Sequence, residues 1–170
     1  MSVRACEQRD VDTICDIYNY YIENTIITFE EAPVTRREMA DRISACMQSL
    51  PWLVCEAADQ VVGYAYANRW HGRSAYRYSV EVTVYIRHGE AGKGYGQALY
   101  AKLLQLLAGK YHSLVAVISL PNEGSVRLHE KFGFRKVAHF SEVGRKFDRW
   151  VDVGYWQKIV QDEPGVPAQT

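Results

Sequence analysis

No stretch of this chain approaches the roughly 20 consecutive apolar residues that a membrane-crossing helix needs. Its first residues, MSVRACEQRD, lack the apolar core of a secretory leader, so the sequence reads as cytoplasmic, with no membrane partner. Neither charge is in excess. Lys plus Arg and Asp plus Glu number 20 each, which leaves no global basic field for nucleic acid. Cysteine is sparse: Cys6, Cys15, Cys46 and Cys55 form no CxxC pair. His71, His88, His112 and His139 show no metal-ligand spacing either, so no metal is expected. Cys15 and Cys46 fall on apolar helical faces and Cys55 in an apolar strand, which suits buried, reduced thiols. Repeats and low-complexity blocks are also missing.

What is present is enough chain for one domain with a real core, spanning 1–160, and a Pro- and Gly-containing tail over 161–170 that reads as disordered. Ser2–Cys6 reads as a strand. Val11, Ile14, Cys15, Tyr18, Tyr21 and Ile22 keep helical spacing behind Asp10, a candidate N-cap. Thr35 and Glu38 form a capping-box pattern that opens a second helix, which Pro51 ends. Trp52–Ala57 and Val61–Trp70 read as a hairpin about Asp59-Gln60, and Tyr78–Arg87 as the next strand. A helix is expected from about Lys93 to Ala108, a buried strand over Leu114–Leu120, and a short helix capped by Ser125 and stopped by Gly133. Two last strands, Phe134–Phe140 and Trp150–Ile159, are expected to flank a basic loop. The order is α+β around a mixed sheet rather than alternating βαβ units.

The chemistry concentrates in Glu81–Leu99, reading EVTVYIRHGEAGKGYGQAL. A β-branched strand feeds Gly92, Gly94 and Gly96 at the start of a helix, where backbone N–H groups are left unpaired and can approach an anion. The turn is neither a phosphate-binding Walker loop, since no Gly-Lys-Ser/Thr follows, nor a dinucleotide fingerprint, since Gln97 stands at the third glycine's place. Lys93 adds a cation there. Strand alternation puts Glu81 on one face with Ser79, Thr83, Tyr85 and Arg87, as either a solvated carboxylate or a general base. His129 reads either as a packing histidine or as a proton donor near the site. The loop Trp70–Arg77 precedes the Glu81 strand, and Arg73 or Arg77 could clamp a substrate carboxylate.

Several motifs together resemble the GCN5-related N-acetyltransferases, and within them the phosphinothricin N-acetyltransferase branch. They are Ala91-Gly92-Lys93-Gly94-Tyr95-Gly96-Gln97-Ala98-Leu99, Tyr76–Glu81, Val84-Tyr85-Ile86, Ser119–Glu130 and Trp150–Trp156, with Cys15–Glu23 upstream. The resemblance covers nearly all of residues 3–158. It implies a fold with a mixed central sheet of about seven strands flanked by helices, and acetyl-CoA as the acetyl donor. It assigns the pantetheine arm to the strand backbone of Val84, Tyr85 and Ile86, and the pyrophosphate to Gly92, Lys93, Gly94, Tyr95, Gly96 and Gln97. Asn122 would be a further cofactor contact. Glu81 would deprotonate the acceptor amine, and His129 would lie at the reaction centre. Arg73, Tyr76 and Arg77 fall to the acceptor, and a homodimer is implied. The expected activity is direct acetyl transfer to the α-amine of a small amino acid analogue, such as phosphinothricin or methionine sulfone or sulfoximine. Acetylation of a protein N-terminus or lysine, and a non-catalytic CoA sensor, are the alternatives. Two positions depart from the pattern. Ala91 stands where a phosphate-binding Gln or Arg is usual, and Val82 where a related branch carries His.

Overall fold

The computed structural model describes residues 1–160. Its elements are β1 (Ser2–Ala5), α1 (Val11–Asn24), α2 (Arg36–Met47), β2 (Trp52–Ala57), β3 (Gln60–Arg69), β4 (Ser79–Ile86), α3 (Tyr95–Leu107), β5 (Ser113–Leu120), α4 (Glu123–Lys131), β6 (Arg135–Lys146) and β7 (Arg149–Ile159). Single 3-10 turns lie at Gln8–Asp10 and Ser74–Tyr76. All seven strands join one sheet in the order β1-β2-β3-β4-β5-β7-β6. Every neighbouring pair is antiparallel except β4 and β5. This is the expected α+β arrangement around a mixed sheet. No helix among the described residues is long and apolar enough to cross a membrane.

The two faces of β4 meet different helices because side chains alternate along a strand. Val80 and Val82 are buried in the main core, and Ile86 on the same face reaches Gly96 of α3. α3 presents Leu99, Tyr100, Leu103 and Leu107 to that core, one stripe at helical spacing. Burial of each of these side chains stabilises by roughly 1.5–3 kcal/mol. The opposite face, with Glu81, Thr83 and Tyr85, looks toward α1. There the Tyr85 ring packs 5.3 Å from Tyr18 and 5.1 Å from Tyr21.

Most local signals hold. Thr35 and Glu38 form the capping box, with Thr35 Oγ1 accepting from Glu38 N at 3.2 Å. Others are corrected. Asp10 precedes α1 but makes no side-chain cap; its carboxylate is buried and held by two bonds from Arg4, at 2.7 and 2.8 Å. Asn122, not Ser125, caps α4, its Oδ1 accepting from Ser125 N. α3 starts at Tyr95, because Gly94 adopts a left-handed φ of 84° that no helix interior takes. The β2–β3 turn falls at Ala58-Asp59, both left-handed, which matches the twist of a two-residue hairpin. Phe147-Asp148 repeats that geometry, so the expected basic loop is instead strand, and β6 runs on to Lys146. The expected tail, 161–170, lies outside the described residues.

Candidate active site

β4 and β5 pair through only three registers, Ser79↔Ser113, Val80↔Leu114 and Glu81↔Val115. Beyond Glu81 they separate into a fork, and the β4 edge over Val82–Ile86 has no partner strand on that side. Val117, in the middle of a central strand, is consequently 38% exposed. The fork opens into a cleft of about 640 Å³. Its walls bring together Val84, Tyr85, Ile86, Gly92, Gly94, Tyr95, Gly96, Gln97, Asn122 and His129 from β4, α3, α4 and the loops that precede the two helices. Tyr21 donates to the Ile86 carbonyl at 2.5 Å and so fixes α1 to the end of β4.

At the mouth of the cleft, Gly92 and Gly94 both have positive φ, 81° and 84°, and a Cβ on either would meet nothing within 4 Å. Gly94 is the N-cap of α3, and having no side chain it accepts nothing from the first-turn N–H groups. Those donors therefore face the cleft uncapped, at the positive end of the helix dipole. Lys93 does not line the cleft; its ammonium sits 2.8 Å from Glu90. Arg127 and Lys131, not anticipated from the sequence, reach the rim from α4, and Lys131 holds Gln97 Oε1 at 2.8 Å. Their i, i+4 spacing on one helix was the available signal.

Glu81 stands at the apex of the fork rather than in the cleft lining, at its last paired register. Its carboxylate has no side-chain hydrogen bond or ion pair among the described residues. Burial pushes its pKa up from the ordinary carboxylate value, because the charged form is poorly solvated. Such a carboxylate is a stronger base near neutrality than an exposed one.

His129 lines the cleft but is only 3% exposed. Its Nδ1 lies 2.7 Å from the Ser125 carbonyl and so donates, which leaves Nε2 to accept from the Tyr100 hydroxyl at 2.5 Å. Burial pushes its pKa down. The ring is therefore neutral with both nitrogens engaged, and the proton-donor reading finds no free N–H. Arg73, Tyr76 and Arg77 are exposed at the start of β4 and do not line the cleft. Arg77 instead stacks on the Tyr78 ring, 4.7 Å from its centroid. No group of three or more potential metal ligands exists among the described residues.

The family model described as an acetyltransferase (GNAT) domain matches residues 3–154. Phosphinothricin N-acetyltransferase of Streptomyces viridochromogenes is 40% identical over 159 residues, 93% of this chain and 87% of that protein. The L-methionine sulfoximine/L-methionine sulfone acetyltransferase of Salmonella typhimurium is 34% identical, over 98% of each chain. Among solved structures, a GNAT superfamily phosphinothricin acetyltransferase from Sinorhizobium meliloti in complex with AcCoA superposes with a TM-score of 0.90 at 30% identity, covering 98% of this chain and 95% of that one.

Proposed function

The chain belongs to the GNAT acetyltransferase family, and from that premise we propose that it moves acetyl from acetyl-CoA directly to the α-amine of a small amino acid analogue, such as phosphinothricin or methionine sulfone or sulfoximine. The observation that carries this reading is the fork itself. One cleft has an uncapped, glycine-lined helix start at its mouth and, at its apex, a half-buried carboxylate with no side-chain partner among the described residues.

The residues fit the donor. The first-turn N–H groups of α3 would take the pyrophosphate, and with Ala91 in place of a polar side chain the backbone does most of that work. The unpaired edge of β4 over Val84–Ile86 would bond the pantetheine arm. Bound there, acetyl-CoA supplies an activated acyl group as a thioester. The acceptor's amine is mostly protonated at neutral pH and has no lone pair to attack with. Glu81 removes that proton, directly or through a water. Fixed backbone donors at the fork stabilise the oxygen that gains charge, and holding amine and thioester in one cleft supplies much of the rate.

His129 and Tyr100 act by position: their hydrogen bond ties α4 to α3 beside the cleft. Arg73, Tyr76 and Arg77 lie outside the cleft lining, and no acceptor role is assigned to them. Four free, buried cysteines support residence in the reducing cytoplasm. A homodimer is supported by the apolar side chains that β6 and β7 leave exposed, Val137, Phe140, Val143 and Trp150.

Thiol release from acetyl-CoA, followed with phosphinothricin, methionine sulfone, other amino acids and a peptide, tests the reading. Release that depends on a free amino acid supports it. Release only with the peptide favours protein acetylation, and none with any acceptor favours a CoA-binding sensor.

A further inference from the structure

Side chains directly opposite each other on neighbouring strands share one face of the sheet. The β3–β4 register sets Asn68 opposite Glu81 and Tyr66 opposite Thr83. Asn68 and Glu81 are also a hydrogen-bonded pair of the ladder. Trp70 N bonds the Ser79 carbonyl and Arg87 N the Val62 carbonyl, and the Asn68–Glu81 pair lies an even number of residues from both. On its other side Glu81 meets Val115 of β5. Across the ladder the carboxylate thus has one polar neighbour and one apolar one. Asn68 is exposed, and its carboxamide makes no hydrogen bond among the described residues. An aromatic pair closes the same face. Trp70, just past the end of β3, and Tyr155 of β7 have β4 and β5 between them, yet their rings are 6.0 Å apart, edge to face. Tyr155 pairs with Val117, two residues from Val115, so its ring is on the Glu81 side. The two rings meet above β4 and β5 and wall the carboxylate with apolar surface.

We propose that Asn68 binds the acceptor's α-amine beside Glu81, a role that rests on the acetyl-transfer reading above. Asn68 Oδ1 accepts one N–H of the ammonium while a Glu81 oxygen faces another. An ammonium shared by two oxygens at about 2.9 Å each holds them roughly 4.5–5 Å apart. Opposed side chains in an antiparallel ladder are about 4.5–5.5 Å apart at Cβ, so this pair spans one nitrogen with no backbone movement. The carboxamide accepts without titrating, which leaves the proton to Glu81. The N–H bond facing Glu81 breaks, and its electron pair stays on nitrogen as the attacking lone pair. The bond to Asn68 keeps that lone pair aimed into the fork.

The test follows thiol release from acetyl-CoA at pH 5 to 10 in the wild type, Asn68→Ala and Asn68→Asp, with the better of phosphinothricin and methionine sulfone as acceptor. Asn68 is exposed, so neither change disturbs the core. Asn68→Ala should raise the acceptor KM by about tenfold and lower kcat severalfold. The KM for acetyl-CoA should stay within about twofold, because the donor's side of the fork is untouched. Asn68→Asp sets a second carboxylate opposite Glu81. The acid limb of its kcat/KM profile should move up by about one pH unit, which a merely structural role would not cause. The other groups facing Glu81 are Ser79 and Thr83 on β4, Tyr66 on β3 and Val115 on β5. The phenols of Tyr66 and Tyr100 feel its charge, and both stay protonated because burial raises their pKa. Unchanged acceptor kinetics in Asn68→Ala, an equal rise in both KM values, or an acid limb that stays in place in Asn68→Asp overturns the role of Asn68, while an active wild type keeps the acetyl-transfer reading. A wild type that releases no thiol with any amine overturns both.

Discussion

Glu81 gets its chemistry from where β4 leaves β5. One register earlier its neighbour would be paired on both sides; one register later it would stand in open cleft. Replacing it by Gln keeps the shape and removes the proposed base. We expect kcat near neutrality to fall by about 10²–10⁴-fold, with little change in the KM for acetyl-CoA. The deficit should narrow above the amine's own pKa, where the acceptor no longer needs a base, and a pH–rate profile checks this. Tyr100→Phe leaves His129 Nε2 without its donor inside the core. That should lower stability by about 1–3 kcal/mol, read by denaturant unfolding. The buried Asp10 carboxylate gives a third test. Burial alone would raise its pKa, but the Arg4 bonds and the Glu7 N–H hold it below the usual value. Its contribution is therefore present above the unfolded pKa of about 3.9 and lost as pH falls through the lower folded value. Asp10→Asn should cost about 2–3 kcal/mol at neutral pH, discounted for the partial exposure of Arg4, and little at low pH. Glu81 was legible because strand alternation and its distance from the glycines are local facts. Asp10 stands at the N-cap position as expected, but its carboxylate serves Arg4 of β1 rather than the first-turn N–H groups, a partner no local pattern brings beside it. The engagement of His129 was hidden for the same reason, since Tyr100 lies 29 positions away.

Helices announced themselves through apolar spacing, and β2 and β3 through alternation. Their ends were less legible where a backbone conformation rather than a side chain decides. Gly94 makes α3 start two residues later than spacing implied, and it does so through φ alone. Gly94→Ala forces a Cβ into the left-handed region at a cost of roughly 1–2 kcal/mol. It should raise the KM for acetyl-CoA by about tenfold while leaving the acceptor KM nearly unchanged, since only the donor's anion site moves. Equal changes in both constants would argue against a pyrophosphate cradle there. The β6–β7 turn was missed because Phe147-Asp148 carries none of the Asn-Gly or Asp-Gly signals of a two-residue hairpin, yet adopts its left-handed pair of residues. Extending β6 to Lys146 is what carries the ammonium to Thr28. The Thr28–Lys146 contact was invisible for a related reason: its two residues are 118 positions apart.

Taken together, the sheet leaves its β6–β7 end with apolar side chains facing outward, and the fork near its middle with an open mouth. The first feature suits a second copy. Phe140→Glu should shift the sedimentation of the protein toward the monomer at micromolar concentration, by placing a charge in that face. A protein that is monomeric before the change would remove the dimer from the account. The second feature is the proposed acetyl-transfer cleft. Acetyl-CoA thiol release, measured from pH 6 to 10 with phosphinothricin and methionine sulfone on wild type and Glu81→Gln side by side, puts both halves of the fork to the test. The wild type should release thiol only when an amino acid acceptor is present, and Glu81→Gln should trail it steeply at neutral pH and approach it at high pH. Release that ignores the acceptor, or two proteins with the same rate at every pH, would contradict a donor cleft with Glu81 as its base.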